Sequence, residues 1–87
     1  MAIVGAEIAS LTRLEATVAQ QLAALDQLRT VLSAQIDATQ WEGRAADRFR
    51  SQWREEHEPA LRRLASSLDE AAIEVARRRA ALEAAGS

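Results

Sequence analysis

The 87-residue sequence contains no cysteine, which excludes disulfides, thiolate metal sites and cysteine nucleophiles. It has a single histidine, His57, and its three glycines are scattered, so no glycine-rich phosphate loop is present. No apolar run approaches the roughly 20 residues of a membrane-spanning helix. These absences argue against an enzyme, against a bound cofactor or metal ion, and against stable insertion into a membrane.

Lysine is also absent, since all 11 basic residues are arginine, and against 13 acidic residues they leave a formal net charge of −2. A chain without a net positive field is not expected to bind nucleic acid or an anionic membrane surface. The one basic cluster, Arg77 to Arg79, lies near the end of a predicted helix, where arginine complements the helix dipole. Met1 to Ala6 lack a basic region, so a general secretory signal peptide is not predicted.

Good helix formers dominate the composition, and aromatic residues make up only 3% of it, so we expect an all-α fold in a single small domain. Apolar residues recur every three or four positions on both sides of residues 39–43. The upstream series is Leu11, Leu14, Val18, Leu22, Leu25, Leu28, Leu32 and Ile36. The downstream series is Ala46, Phe49, Trp53, Leu61, Leu64, Leu68, Val75 and Leu82.

Each series predicts an amphipathic helix, the first at about 6–38 and the second at about 44–84. The segment Thr39-Gln40-Trp41-Glu42-Gly43 between them predicts a turn at 39–43. Gly43 tolerates backbone angles that other residues avoid, and Trp41 can place its indole in the mouth of the turn. The predicted fold is therefore a helical hairpin of two long antiparallel helices.

Pro59 conflicts with the second helix, because proline deletes a backbone hydrogen bond and collides with the preceding turn. A kink near Glu55 to Glu58 in one continuous helix is favoured over a break that Pro59 would follow, since the apolar spacing stays in phase. His57 aligns with the apolar stripe and is predicted to be a partly buried interface residue rather than a metal ligand. Arg78 is predicted at one position of the seam. The other seam positions are Leu61, Leu64, Leu68, Ala71, Val75 and Leu82.

Both apolar stripes are wider than contact between two helices requires. A second hairpin would cover the exposed flanks, which predicts pairing into a four-helix bundle. The residues predicted to hold this bundle or its partner interface are Leu14, Val18, Leu22, Leu25, Leu32, Ile36, Phe49, Trp53, Leu61, Leu64, Leu68 and Val75.

The order Trp41-Glu42-Gly43, Ala45, Ala46, Phe49 and Trp53, followed by a leucine seam, resembles the WXG family of small type VII (ESX) secretion proteins, the early-secreted-antigen-like group. The resemblance covers essentially the whole chain. It implies a homodimer, or a heterodimer with another WXG-type protein. It also implies export from the cytoplasm by a signal-peptide-independent type VII route, with the motor ATPase of that route as a partner.

The resemblance further implies that Trp41 and Gly43 form the turn motif and help to present a surface to the secretion machine. Family members often carry a tyrosine-based export signal after the second helix, but this chain has no tyrosine. Arg79 with Glu83 is the nearest positional analogue. Either a partner supplies the signal, or the chain is the amino-terminal targeting domain of a longer protein. The alternative function is a non-secreted hairpin adaptor or coiled-coil subunit of a cytosolic complex.

Overall fold

The computed structural model describes residues 2–86, and within that range every regular element is helical. Helix α1 spans Ala2–Ala38, α2 spans Arg44–Gln52 and α3 spans Glu58–Gly86. A π-helical turn, Trp53–His57, joins α2 to α3 without a break. Helix α1 lies against α3 along a rod of 65 × 17 × 13 Å. The predicted all-α helical hairpin is confirmed.

The two long helices meet along a seam with alternating spacings of three and four residues, as in a coiled coil. On α1 the half-buried seam positions are Val4, Ile8, Leu11, Glu15, Val18, Leu22, Leu25 and Arg29, continued towards the turn by Ser33 and Ile36. On α3 the buried Glu58 is followed by the half-buried Leu61, Ala65, Leu68, Ala72, Val75, Arg79 and Leu82. This spacing keeps one stripe of each helix turned towards the other along the whole rod.

The turn between α1 and α2 is held mainly by Arg50. Its guanidinium donates hydrogen bonds to the backbone carbonyls of Ile36, Thr39 and Trp41, at 3.3, 2.8 and 2.9 Å respectively. These carbonyls lie at or beyond the last turn of α1, where no helical N–H is available to them. Gly43 has a φ of 111°, which favours glycine, and its carbonyl accepts from the N–H of Asp47 at 3.0 Å.

The π-helical turn is explained by Pro59, the second residue of α3. In a regular α-helix its ring would collide with the carbonyl of residue 55, and a turn widened by one residue moves that carbonyl away. The additional residue also changes which side chains face α1. Glu58, rather than His57, therefore enters the seam.

Further along α3 the seam keeps the predicted Leu61, Leu68, Val75 and Leu82 but differs at the positions between them. Arg79 occupies the seam, whereas His57 and Arg78 are exposed. The prediction that His57 and Arg78 lie on the seam is wrong. The wider turn displaces His57, whereas Arg78 is displaced because the seam steps from Leu61 by four residues to Ala65, and so on to Arg79, rather than by three. The π-helical turn lies next to the position where a kink was predicted, and the helical path continues through it.

The seam leaves the core open to solvent. Among the described side chains, Ala46 is the one buried apolar residue, and no large side chain is fully buried. Two helices form a layer only one side chain deep, so each seam residue keeps an edge in contact with water. No helix within residues 2–86 is long and apolar enough to cross a membrane.

Candidate interaction surface

One side of the hairpin carries a shallow groove between its helices. The groove is lined by Gln21, Ala24, Leu25, Leu28, Leu64 and Leu68. Leu28 is 46% exposed and Leu64 is 49% exposed, so both present large apolar areas to solvent. We call this side the leucine face and define it by two rows of residues spaced seven apart. The α1 row is Glu7, Leu14, Gln21, Leu28 and Gln35, and the α3 row is Leu64, Ala71 and Arg78.

The opposite side of the hairpin is polar. A groove there is lined by Ser33, Asp37, Trp53, Arg54, Glu58 and Arg62. Two arginines donate to the same oxygen of Glu58, Oε1: Arg29 through Nη1 at 2.9 Å and Arg62 through Nε at 2.7 Å. A further N–H group of Arg29 pairs with Asp26. The two sides of the rod therefore offer different chemistry to a partner.

Glu58 is ionised in this setting. Hydrogen bonds first from Arg62 and then from Arg29 lower the pKa of its carboxyl group, and they outweigh the opposing effect of desolvation. The pKa of Arg29 is raised, chiefly by its hydrogen bond to Glu58 and then by that to Asp26. A carboxylate between two guanidinium groups is well satisfied, so we assign this cluster to holding α1 against α3.

A second ion pair joins the helices near the open end of the hairpin. Arg79 donates through Nε to Glu15 on α1 and through Nη1 to Glu83 on its own helix, the latter at 3.0 Å. These contacts, with Glu15 first, raise the pKa of Arg79. The arginine lies on α3 here, whereas in the pair between Arg29 and Glu58 it lies on α1. A sliding of one helix along the other would break both pairs, so together they specify the register of the hairpin.

Two aromatic side chains are exposed at the turn. The rings of Trp41 and Phe49 lie 5.7 Å apart between centroids and are tilted by 49°. Trp41 is 43% exposed, and Asp37, Thr39, Gln40, Glu42 and Arg50 line a recess with it. Ala46, rather than the Trp41 indole, fills the mouth of the hairpin. The other tryptophan, Trp53, is half-buried and donates through Nε1 to Ser33 Oγ at 3.0 Å.

The predicted interface residues fall into two groups. Those that lie half-buried along the hairpin are Val18, Leu22, Leu25, Ile36, Trp53, Leu61, Leu68 and Val75. Those that remain exposed are Leu14, Leu32, Phe49 and Leu64. The first group packs along the hairpin, and the second keeps large apolar areas in contact with solvent.

Sequence reasoning missed the interhelical ion pairs and the role of Arg50. A usable signal for the ion pairs was present, since Ile8, Glu15, Leu22, Arg29 and Ile36 form one row with a spacing of seven residues. A charged residue in a row of apolar ones indicates a buried partner of opposite charge. Arg50 offered no such signal, because its acceptors are backbone carbonyls placed by the path of the turn.

Within residues 2–86, no group of three histidine, aspartate or glutamate side chains is placed to hold a metal ion. Both grooves are shallow and open. One is lined mainly by apolar side chains, and the other contains the ion pairs of Glu58. Comparison of the chain with protein family models, with curated proteins and with solved structures gives no match.

Proposed function

We propose that this protein is a small interaction protein of a type VII secretion route, either exported itself or co-secreted with a partner. It acts by pairing its leucine face with another helical hairpin. The observation that carries the proposal is the open core: no large described side chain is fully buried, while Leu14, Leu28 and Leu64 remain nearly half exposed.

The energetic case follows from these exposed leucines. Burying a whole leucine side chain is worth about 1.5–3 kcal/mol, so covering the exposed half of each contributes roughly 1 kcal/mol. A second hairpin would cover several such side chains on both partners at once. The gain must exceed the cost of association, which is several kcal/mol, so the entire face must take part rather than one residue.

The type VII part of the proposal rests on the turn. Trp41-Glu42-Gly43 and the downstream Phe49 and Trp53 carry the family resemblance. Trp41 and Phe49 form an exposed aromatic pair, and large aromatic side chains are the residues that most often anchor protein interfaces. Arg50 donates hydrogen bonds to the carbonyls of Thr39 and Trp41 and so fixes the backbone of the turn. The aromatic pair of Trp41 and Phe49 is then presented to the motor ATPase in a single conformation.

A test of the pairing compares two glutamate substitutions in analytical ultracentrifugation. Leu28→Glu places a charge on the leucine face, whereas Ile73→Glu places one at a similarly exposed position on the outer surface of α3. The wild type and the Ile73 variant should associate as concentration rises, and the Leu28 variant should not. Equal behaviour of the two variants would remove the leucine face from the proposal.

A test of the export route follows a tagged chain in a bacterium that has a type VII machine. The protein should reach the culture supernatant when the motor ATPase is intact and stay with the cells when it is deleted. A tagged variant with alanine at Trp41 should be retained in both strains, while one with alanine at Ile73 should be exported. Retention of the wild type in the intact strain, even with candidate hairpin partners co-expressed, would overturn the secretion part.

A second candidate is a non-secreted hairpin adaptor, which one observation favours. Arg79 and Glu83, the positional analogue of the export signal, are joined to each other, and Arg79 also pairs with Glu15 on α1. These residues already serve the hairpin. The export experiment separates the candidates, because an adaptor stays with the cells whether or not the motor is present.

A further inference from the structure

Two openings at the turn end of the hairpin share one wall, the side chain of Asp37. One is the recess beside Trp41, and the other is the groove beside Trp53 on the polar side. Their volumes are about 540 and 370 Å³, so each has room for one long side chain. Because Asp37 lines both, the openings adjoin and form one path along the surface, which we call the polar channel.

The turn end of the polar channel favours a positive charge. Asp37 and Glu42 are exposed there, and neither forms an ion pair within residues 2–86. Arg50 lines the recess as well, but its guanidinium is directed at three backbone carbonyls. Trp41 is 43% exposed, and the face of an indole attracts a cation. This end therefore suits the side chain of arginine or lysine.

The other end of the polar channel favours a negative charge. Arg54 is exposed and has no ion pair in the part of the chain that the structure describes. Glu58 is already paired with two arginines, so it leaves the charge of Arg54 uncompensated. Arg62 donates to Glu58 through Nε, its two Nη groups bond to none of the described residues, and its side chain is 67% exposed. Ser33 accepts from Trp53, and its hydroxyl can donate in turn. Guanidinium and hydroxyl donors grouped in this way suit a carboxylate.

We infer that the polar channel binds an extended segment of a partner protein that carries a basic residue and, two positions away, an acidic residue. The spacing follows from the hydrogen bond between Trp53 and Ser33, which places Arg54 close to the level of Ser33. Asp37 lies one helical turn from Ser33, roughly 6 Å along the axis. In an extended chain, residues two positions apart point to the same side and lie roughly 6.5 Å apart. The basic side chain can then lie beside Asp37 while the acidic one reaches Arg54.

A segment with both charges fits the polar channel better than a polyanion does. The chain has a formal net charge of −2, and a row of phosphates bound at Arg54 would meet Asp37 in the same groove. This groove lies on the opposite side of the rod from the leucine face, so the inference goes beyond the pairing of hairpins. It shares only Trp41 with the proposed contact to the motor ATPase.

An NMR titration with a blocked pentapeptide, Ser-Arg-Ser-Glu-Ser, tests the inference. The chain has two tryptophans, so its spectrum contains two indole N–H signals. Trp41 reports on the recess and Trp53 on the groove. Both signals should move with one dissociation constant in the millimolar range, because ion pairs at exposed sites contribute little. The isomer Ser-Arg-Glu-Ser-Ser should bind roughly fivefold more weakly, because its two charges point to opposite sides of an extended chain.

Substitutions separate the two ends of the polar channel. Asp37→Asn and Arg54→Gln should each weaken binding of the first pentapeptide by roughly three- to fivefold. Asp69→Asn and Arg63→Gln remove the same charges at exposed positions outside both linings, and they should leave the dissociation constant unchanged. Against Ser-Arg-Ser-Gln-Ser, which lacks the acidic residue, Arg54→Gln should have no effect. None of the four side chains forms an ion pair within residues 2–86, so circular dichroism should show an unchanged fold in each variant.

The titrations also define what would overturn the inference. Indole signals that do not move, or that move equally for the two isomers, would show that the polar channel does not select this spacing. Equal effects of Asp37→Asn and Asp69→Asn would remove the channel from the binding event. A short single-stranded oligonucleotide that moves both signals at a lower concentration than the pentapeptide would identify a nucleic-acid site instead.

Failure of this inference and failure of the proposed function are distinguishable. Pairing of the leucine face is measured with the Leu28 variant, and export with the motor deletion, and neither measurement uses the pentapeptide. A chain that pairs and is exported but does not bind the pentapeptide overturns this inference alone. A chain that binds it with the expected selectivity but neither pairs nor leaves the cell overturns the proposed function and leaves this inference standing.

Discussion

Truncation of Leu28 to alanine measures how far the leucine face is covered in solution. Leu28 is 46% exposed in the single hairpin, and Ile73 is 45% exposed. Ile73 lies two residues from Ala71 and thus roughly 200° around α3 from it, away from the leucine face. Each side chain loses a similar amount of contact with its own hairpin when it is shortened, which makes Ile73→Ala a matched control.

The expected magnitudes differ between a lone and a paired hairpin. In a lone hairpin, either truncation forfeits about half of the transfer free energy of the side chain, which is about 1 kcal/mol. Helix propensity returns a fraction of this, up to about 0.7 kcal/mol, and somewhat more for isoleucine than for leucine. If a partner covers Leu28, its truncation removes a buried side chain and costs about 2–5 kcal/mol per chain. The control keeps its small value in either state.

Urea unfolding followed by circular dichroism at low and high protein concentration provides the assay. The wild-type midpoint should rise with concentration, because dimerisation stabilises the folded chain by mass action. The Leu28 variant should lose this dependence, and the Ile73 variant should keep it. Equal losses of stability in the two variants at high concentration would refute the argument that the leucine face is an interface.

Three further predictions concern the hairpin itself. The folded-state pKa of Glu58 lies below the ordinary value of 4.5, so its stabilisation is present above that pH and disappears as the pH falls through the lower value. Glu58→Gln should therefore lower the Tm at pH 7 but approach the wild type once the pH falls below the lowered pKa, while Glu55→Gln, at an exposed position, should match the wild type at pH 7. Arg50→Lys should lower the free energy of unfolding by about 2 kcal/mol, because one ammonium group cannot reach all three carbonyls. The NMR order parameters of residues 39–43 should fall in this variant. Unchanged order parameters would contradict the role of Arg50 in holding the turn. Gly43→Ala should lower the free energy of unfolding, measured with urea, by about 1–3 kcal/mol. The cause is backbone strain alone, since a Cβ at this position meets no atom within 4 Å. Gly5→Ala inside α1 should instead raise the free energy of unfolding by about 1 kcal/mol, and equal effects of the two substitutions would contradict the strain argument.

The spacing of the leucines predicted the hairpin correctly. Residues three or four positions apart lie on the same face of a helix, whatever packs against that face. Gly43 marked the start of the second helix correctly, since its φ of 111° is one that few other residues adopt. These features are local, and a single sequence carries them. The same is true of the surplus apolar positions, such as Leu14 and Leu64, which remain exposed in the folded hairpin.

The details of the second helix could not be read in the same way. Pro59 predicted an irregularity in the second helix. Whether a proline produces a kink, a break or a wider turn depends on the tertiary contacts that the neighbouring residues make. Here Glu58 finds Arg29 on the other helix, at 2.9 Å, once the turn is widened. The extra residue in the turn is therefore stabilised by a tertiary contact. Because the prediction considered one helix alone, it assigned the seam position of Glu58 to His57.

The uneven distribution of fastenings along the rod has a kinetic consequence. The end of the hairpin at the turn has the Arg50 hydrogen bonds, the Trp53 hydrogen bond and the Glu58 cluster, whereas the polar link described far from the turn is that of Arg79. Each pair of facing seam residues contacts only the adjacent pairs, so separation of α1 from α3 can proceed one pair at a time. We therefore expect α1 and α3 to separate first at the end of the hairpin far from the turn. A partly opened hairpin would keep the turn and could close again quickly.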